Sequence, residues 1–304
     1  MLDPIYNLFG AIMRFIYETI SFQNYGIAII VFTIFTKLLL APLNIKQMKS
    51  TVSGKNAEMQ RELAEIQKLF KGDKQRIAEE TQKLYTKYGF SPMAGCLPTL
   101  LQFPIIIVLY TIVREPITYI LRTPTGLINE AMSKLNISSG YGQLDLMKKL
   151  SERPELIKIN DLRGFAESSI INFNFLGINL GTTPVINFTA IKNEPGLYLP
   201  LLLIPILAAV TTFLQSWLMN KATQKRSGGA AAQQQGAGMM KSMTFLMPVM
   251  ILFFSFQVPA SLGLYWIIGN IFGIAQQYIM NKYMDKKENN NKDTGVIKVK
   301  GKKV

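Results

Sequence analysis

The sequence predicts an all-α membrane protein: five transmembrane helices around a hydrophilic groove, with an N-terminal interfacial amphipathic helix and a cytoplasmic helical hairpin. Three observations predict it. Of the 304 residues 49% are hydrophobic and 17% charged, with mean hydropathy +0.20; a soluble domain carries roughly 25% charged residues. Five apolar runs are long enough to be spans. The 33 Lys+Arg against 19 Asp+Glu, a net charge of +14, are divided unevenly among the connecting segments.

The elements follow in chain order. Residues 4–20 place Ile5, Leu8, Phe9, Ile12, Met13, Ile16 and Ile20 on one helical face, with Asn7, Arg14 and Glu18 opposite. That is the pattern of a helix lying in the membrane interface, here an external helix within residues 1–24. Charges interrupt the run and no small-residue cleavage site follows, which argues against a signal peptide. The first span is 25–44, and within it Gly26–Leu43 is apolar except for Lys37 and two threonines. Residues 45–92 are too polar to enter lipid. Leu63, Ile66 and Leu69/Phe70 form one helical face, Gly72-Asp73 breaks it, and Ile77 and Leu84 begin a second, which predicts a helical hairpin.

The second span, 93–115, contains Gln102, Pro98 and Pro104. An external segment, 116–196, is punctuated by prolines and has short helical patches near 125–150. The third span, 197–220, leads to a loop, 221–241, whose low-complexity stretch SGGAAAQQQGAG predicts flexibility. The fourth and fifth spans are 242–258 and 262–281, followed by a Lys/Asn-rich tail, 282–304, expected to be disordered. An 18-residue helix covers about 27 Å, so several spans are short for a hydrocarbon core of about 30 Å.

Charge orients these elements. Residues 44–92, 221–241 and 282–304 together hold 22 basic against 9 acidic residues. Residues 1–24 and 114–196 hold 10 of each. Lys and Arg accumulate in cytoplasmic loops. The hairpin and tail are therefore expected on the cytoplasmic side of the membrane and the N-terminus outside.

The residue inventory excludes most familiar chemistry. There is no histidine and one cysteine, Cys96. An intrachain disulfide, a Ser-His-Asp triad and a multi-cysteine metal cage are each missing a member. No P-loop is present. The expectation is a protein that is not an enzyme and uses no cofactor or metal.

Lys37 is the most informative residue. It lies about 9 Å from the cytoplasmic end of its span by helical rise, where a lysine costs about 2.5–3.5 kcal/mol on insertion scales. Snorkelling of the side chain to the headgroups is one reading; a charge facing a wet cavity is the other. Thr33 lies one turn before it, Gln102 in the second span, Thr211 and Gln215 at i,i+4 in the third, and Asn270 in the fifth, one turn after Trp266. Each alone reads as an interhelical hydrogen-bond partner. Taken together, one polar stripe on each of four helices, all facing inward, would hydrate a groove around Lys37. No acidic residue lies in the apolar runs within these spans, Gly26–Leu43, Cys96–Val113, Leu197–Met219, Ser242–Val258 and Leu262–Met280. Gly263, Gly269 and Gly273 read as helix packing, Cys96 as a small packing residue, and Met239, Met240, Met243, Met247 and Met250 as lipid-facing apolar surface.

The run TKLLLAPLNIKQMKS (36–50), the charged hairpin, MAGCLPTLLQFPIIIVLY (93–110), TTFLQSWL (211–218) and FQVPASLGLYWIIGNIFGIAQQYIM (256–280) resemble the YidC family of membrane protein insertases across nearly the whole chain. The resemblance implies a positively charged hydrophilic groove open to cytoplasm and lipid. The family's usual arginine is Lys37 here, which keeps the charge and loses the planar fork for carboxylates. It implies groove roles for Thr33, Gln102, Gln215 and Trp266, substrate recruitment by the hairpin, and a ribosome contact for the basic tail. Anionic lipid is the other partner for that tail. The partners expected are nascent membrane proteins and the lipid bilayer, with the ribosome and the Sec translocon as further candidates, the chain acting as a monomer.

The expected function is insertion and folding of nascent membrane proteins without nucleotide hydrolysis. A polytopic transporter or channel using Lys37 as an anion site is the alternative; inverted repeats would favour it, and none is visible. An assembly chaperone working beside a translocon is a third reading.

Overall fold

A computed structural model describes residues 3–51, 54–89, 97–159, 162, 170–226 and 235–293. Cys96, residues 227–234 of the low-complexity loop and the tail beyond 293 lie outside the described residues, as do the side chains of Gln102, Met239, Met240 and Met243.

The chain is predominantly helical. Helix α1 (Asp3–Phe15) runs into a π-helical turn, Ile16–Ile20, and is followed by α2 (Tyr25–Thr51), α3 (Gly54–Leu69), α4 (Lys74–Tyr88) and α5 (Leu97–Arg114). Short helices α6 (Pro116–Tyr119), α7 (Thr125–Lys134), α8 (Gly142–Glu152) and α9 (Leu156–Ile159) come next. A two-stranded hairpin, β1 (Asn174–Phe175) with β2 (Ile178–Asn179), precedes α10 (Phe188–Asn193) and α11 (Pro195–Leu201). The last elements are α12 (Leu203–Arg226), α13 (Gln235–Ser255) and α14 (Ala260–Asp293).

Two stretches, Tyr25–Lys46 and Pro195–Ala222, are long and apolar enough to cross a membrane. Pro104–Arg114 and Thr244–Ser255 are shorter apolar helices among the described residues. Helix α14 is longer, but Asn270, Gln276 and Gln277 dilute its apolar run. Prolines 42, 104 and 248 sit inside α2, α5 and α13, which is tolerated where neighbouring groups re-satisfy the freed carbonyls.

Two helices outrun their apolar segments. Helix α2 continues to Thr51, because no glycine stops it before Gly54. Helix α14 continues to Asp293 through the stretch read as a disordered tail from Lys282. That stretch has no Gly or Pro and places Glu288 and Lys292 at i,i+4, so extending an existing helix costs little.

Helices α12 and α14 pack along each other, α13 packs on α12, and α2 packs on the other side of α14. Helices α3 and α4 pair separately around Met59, Leu63 and Leu84. Gly72, at φ 101, takes the turn between them. The Asp73 carboxylate accepts from the Arg76 amide at 3.0 Å to start α4, and Gly89 ends it at φ 61. Glu62 and Lys87 join the two helices at 2.7 Å, and the Tyr88 hydroxyl donates to Glu62 at 2.6 Å.

The described residues between Glu115 and Leu201 form a cap on one end of the bundle. The Tyr25 amide donates to the Asn172 carbonyl at 3.1 Å, and the amides of Ala260 and Ser261 donate to Thr182 and Leu180, each at 3.0 Å. These bonds satisfy donors at the starts of α2 and α14 that a helix leaves open. The Tyr141 hydroxyl donates to the Gln257 carbonyl at 2.7 Å. Gly26 lies so close to the Phe175 ring that a β-carbon there would overlap it.

The main core sits at this cap end. Tyr25, Ile29, Phe32, Leu109, Ile112, Ile117 and Leu180 are fully buried; α1 joins them through Met13, and the π-helical turn through Ile16 and Tyr17. The apolar face of α1 is therefore divided: one sector packs on the bundle, and Leu8 and Phe15 remain exposed beside it.

Candidate functional site

Burial along α2 changes character at Lys37. Ile29, Phe32, Thr33 and Thr36 are buried, whereas Leu38, Leu39 and Leu43, beyond Lys37, are exposed. The site therefore lies where close packing from the cap end stops.

Glycines on α14 shape its floor. A β-carbon on Gly269 would stand 3.0 Å from Lys37 Cε, 3.4 Å from Nζ and 4.0 Å from Thr33 Cγ2. The half-buried Lys37 side chain thus lies on α14 backbone. One turn further from the cap, Gly273 receives the Gln215 amide group so closely that any β-carbon would collide with it. Gly263, nearer the cap, is filled by Ile204 and serves packing alone. All three glycines thus admit a neighbouring helix, Gly263 through an apolar side chain and Gly269 and Gly273 through polar ones.

Asn270 binds α12 to α14. Its Nδ2 donates to Thr212 Oγ1 at 2.8 Å and to Thr211 Oγ1 at 3.0 Å. Both threonine hydroxyls also donate to backbone carbonyls of their own helix, which fixes them as acceptors for Asn270. Thr33 is fully buried and donates to the Ile29 carbonyl at 2.6 Å; Thr36 donates to the Thr33 carbonyl at 2.9 Å. Gln276 Nε2 reaches the Ala41 carbonyl at 3.5 Å. Trp266, one turn cap-ward of Asn270, is half-buried against the main core.

The six residues singled out from the sequence fall into three groups. Lys37 and Thr33 share the Gly269 surface, and Gln215 occupies the next α14 notch. Asn270 stitches the neighbouring helix, and Trp266 belongs to the packed end. Gln102 lies on α5, with its side chain outside the described groups. Sequence reasoning missed Thr36, Thr212 and which side chains Gly269 and Gly273 receive. The i,i+4 glycine pair beside Asn270 was the available signal, since paired glycines mark close approach.

Charge at this seam has one sign. No Asp or Glu occurs on α2, α5, α12 or α13, and none on α14 before Asp285. Among the described residues no group of His, Cys, Asp and Glu is arranged to hold a metal ion. In the α3–α4 hairpin, hydrogen bonds from Lys87 and Tyr88 hold the Glu62 carboxyl below its usual range. The same bond to Glu62 pushes Tyr88 up to about 12.

Fold and seam together define a predominantly helical membrane protein in which Lys37 and several polar side chains lie where α2, α12 and α14 meet. The chain belongs to the family described as 60Kd inner membrane protein, the YidC family of membrane insertases, which matches residues 15–288. It is 31% identical to the membrane protein insertase YidC of Oceanobacillus iheyensis, over 86% of this chain and 76% of that one. It is 30% identical to the membrane protein insertase YidC of Clostridium perfringens over 96% of each chain. Identity to the membrane protein insertase MisCA of Bacillus subtilis is 29%, over 85% of this chain and 70% of that one.

Proposed function

We propose that the chain inserts nascent membrane proteins by drawing a short polar tail into a groove centred on Lys37. The observation that carries this reading is the position of Lys37: half-buried on Gly269, at the level where apolar packing ends. Relatives named membrane protein insertase over most of the chain support it.

In this reading five helices, α2, α5 and α12 to α14, cross the bilayer. The basic segments, including the α3–α4 hairpin and the end of α14, face the cytoplasm. The cap and α1 face outward, with the exposed sector of α1 resting in the interface. The hairpin receives the nascent segment. Acidic or polar residues of its tail enter the groove toward Lys37, with Gln215, Gln102 and the Thr33 region offering hydrogen-bond groups. Short spans thin the bilayer locally and reduce the distance to be crossed. The substrate helix then leaves sideways into lipid, driven by apolar burial at about 25 cal/mol per Å². No nucleotide is hydrolysed, and a monomer suffices. The ribosome and the Sec translocon are partners of the basic tail and the finished helix.

The test is a reconstituted insertion assay with Lys37→Ala, Lys37→Arg and Lys37→Glu. Lys37→Arg retains activity and Lys37→Glu loses it most for a substrate with an acidic tail. If Lys37→Glu inserts that substrate as well as wild type, the electrostatic reading is wrong.

A further inference from the structure

The cap carries apolar side chains at positions that suit neither water nor their backbone. Phe22, in the connection between the π-helical turn and α2, is 88% exposed, and Leu176, in the β1–β2 turn, is 86% exposed. Both have left-handed backbone, φ 51 and φ 53. Such positions ordinarily take Gly or Asn, because a side chain there crowds the following carbonyl. Phe188, at the start of α10, is 85% exposed and Ile186 beside it 68%.

Placement says what covers them. Asn24 Nδ2 donates to the Asn174 carbonyl at 2.9 Å, and Asn24 bridges Asn172, so the hairpin is fixed to the start of α2. Phe175 lies on Gly26, in the first turn of that helix. Strand β2 packs on α11. The Leu176 turn is therefore held between the cap-side ends of the two stretches most suited to crossing a membrane. Phe22 sits three residues before α2, and Ile186 and Phe188 lead into the apolar stretch that begins at Pro195.

Charge agrees. Of the 17 charged residues in 114–196, 15 precede residue 168, and Ser168–Ile191 has none. Among the described cap residues the charges thus lie mostly before residue 160, and Leu176, Ile186 and Phe188 lie in the uncharged stretch Ile170–Ile191, to which the Phe22 connection is joined through Asn24.

We infer that Phe22, Leu176, Ile186 and Phe188 form a lipid anchor. They enter the headgroup–acyl boundary of the cap-side leaflet and fix the height of the bundle in the bilayer. The occupant is the bilayer surface itself, continuous with the lipid around α2 and α12. This requires only that the chain spans the membrane, so it is independent of the role given to Lys37.

Site-directed spin labelling tests it. In a Cys96→Ser background, single cysteines replace Phe22, Leu176 and Phe188, with Ser139→Cys as a control on the charged part of the cap. The protein is reconstituted in nanodiscs of phosphatidylethanolamine and phosphatidylglycerol. Labels at 22, 176 and 188 are expected to favour oxygen over a water-soluble nickel chelate, by about twofold or more at a depth of about 5–10 Å, and the label at 139 to do the reverse. A second readout avoids labels. Leu176→Asn and Phe22→Asn relieve the backbone and should raise thermal stability in a mild detergent, while lowering it in the nanodisc. Water-like accessibility at 22 and 176 overturns the inference. So does protection that appears only when a second copy or another protein is added.

Discussion

The Lys37 side chain rests on the backbone of Gly269, with Cε 3.0 Å and Nζ 3.4 Å from where a β-carbon would stand. Because the neighbour is the far end of a flexible chain, Gly269→Ala shifts it by a few tenths of an ångström. The expected result is insertion activity close to wild type. Gly269→Leu fills the notch and displaces the ammonium; overpacking costs about 1–3 kcal/mol. Its activity should fall to that of Lys37→Ala while the protein still folds, read from insertion and thermal melting side by side.

Asn270→Ala removes both hydrogen bonds to α12. Interhelical hydrogen bonds in membranes average about 0.6 kcal/mol each, so the loss is about 1 kcal/mol. Thr212→Val leaves Asn270 its bond to Thr211 and should cost about half as much. Melting of the two single variants and the double variant in one detergent checks this, with a coupling term expected between the sites.

The hairpin is pH-sensitive in both directions. The Glu62 carboxyl is depressed, so its contribution is present above the ordinary carboxylate range and lost as pH falls through its folded value. Tyr88 is raised from 10.0 to about 12, so its contribution is present below 10 and lost as pH rises toward about 12. Amide exchange in α3 and α4 should be slowest relative to an unfolded reference between these limits. Glu62→Gln should flatten the acid side and weaken protection at neutral pH.

The joint between cap and bundle depends on a missing side chain. Gly26→Ala collides with the Phe175 ring, and the rigid aromatic has β1 behind it. Destabilisation of about 1–3 kcal/mol is expected. Limited proteolysis should cut earliest in the β1–β2 segment. Combining Gly26→Ala with Phe175→Leu should restore most of the loss.

What was legible in the sequence follows from range. Helical character is a local property, and the spacing of Leu63, Ile66 and Leu84 shows it without tertiary information. The strands β1 and β2 have two residues each, too short for alternation to register. Their turn carries Leu176-Gly177 in place of the Asn-Gly that signals a hairpin. Within the site, the polarity of Lys37, Gln215 and Asn270 is visible one residue at a time. Which glycine lies beneath which side chain depends on the register of α14 against α2 and α12. That register is set by contacts between residues more than fifty positions apart, such as Asn270 with Thr212. The full length of α14 was missed for another reason: composition marks Lys282 onward as polar, but polarity does not stop a helix that is already formed.

The one-sided packing of the bundle has an electrical consequence. In the proposed orientation, with the proposed groove open to the cytoplasm, a membrane potential drops mainly across the packed end, where Ile29, Phe32, Leu109 and Ile112 are fully buried. A group beside Lys37 is then inside the bilayer by distance but still at nearly the voltage of the cytoplasm. Each elementary charge moved from there to the far side is worth about 2.3 kcal/mol per 100 mV. With the interior negative, that work favours a departing carboxylate and opposes a departing ammonium. A stationary wall of apolar side chains thus sorts translocated tails by the sign of their charge.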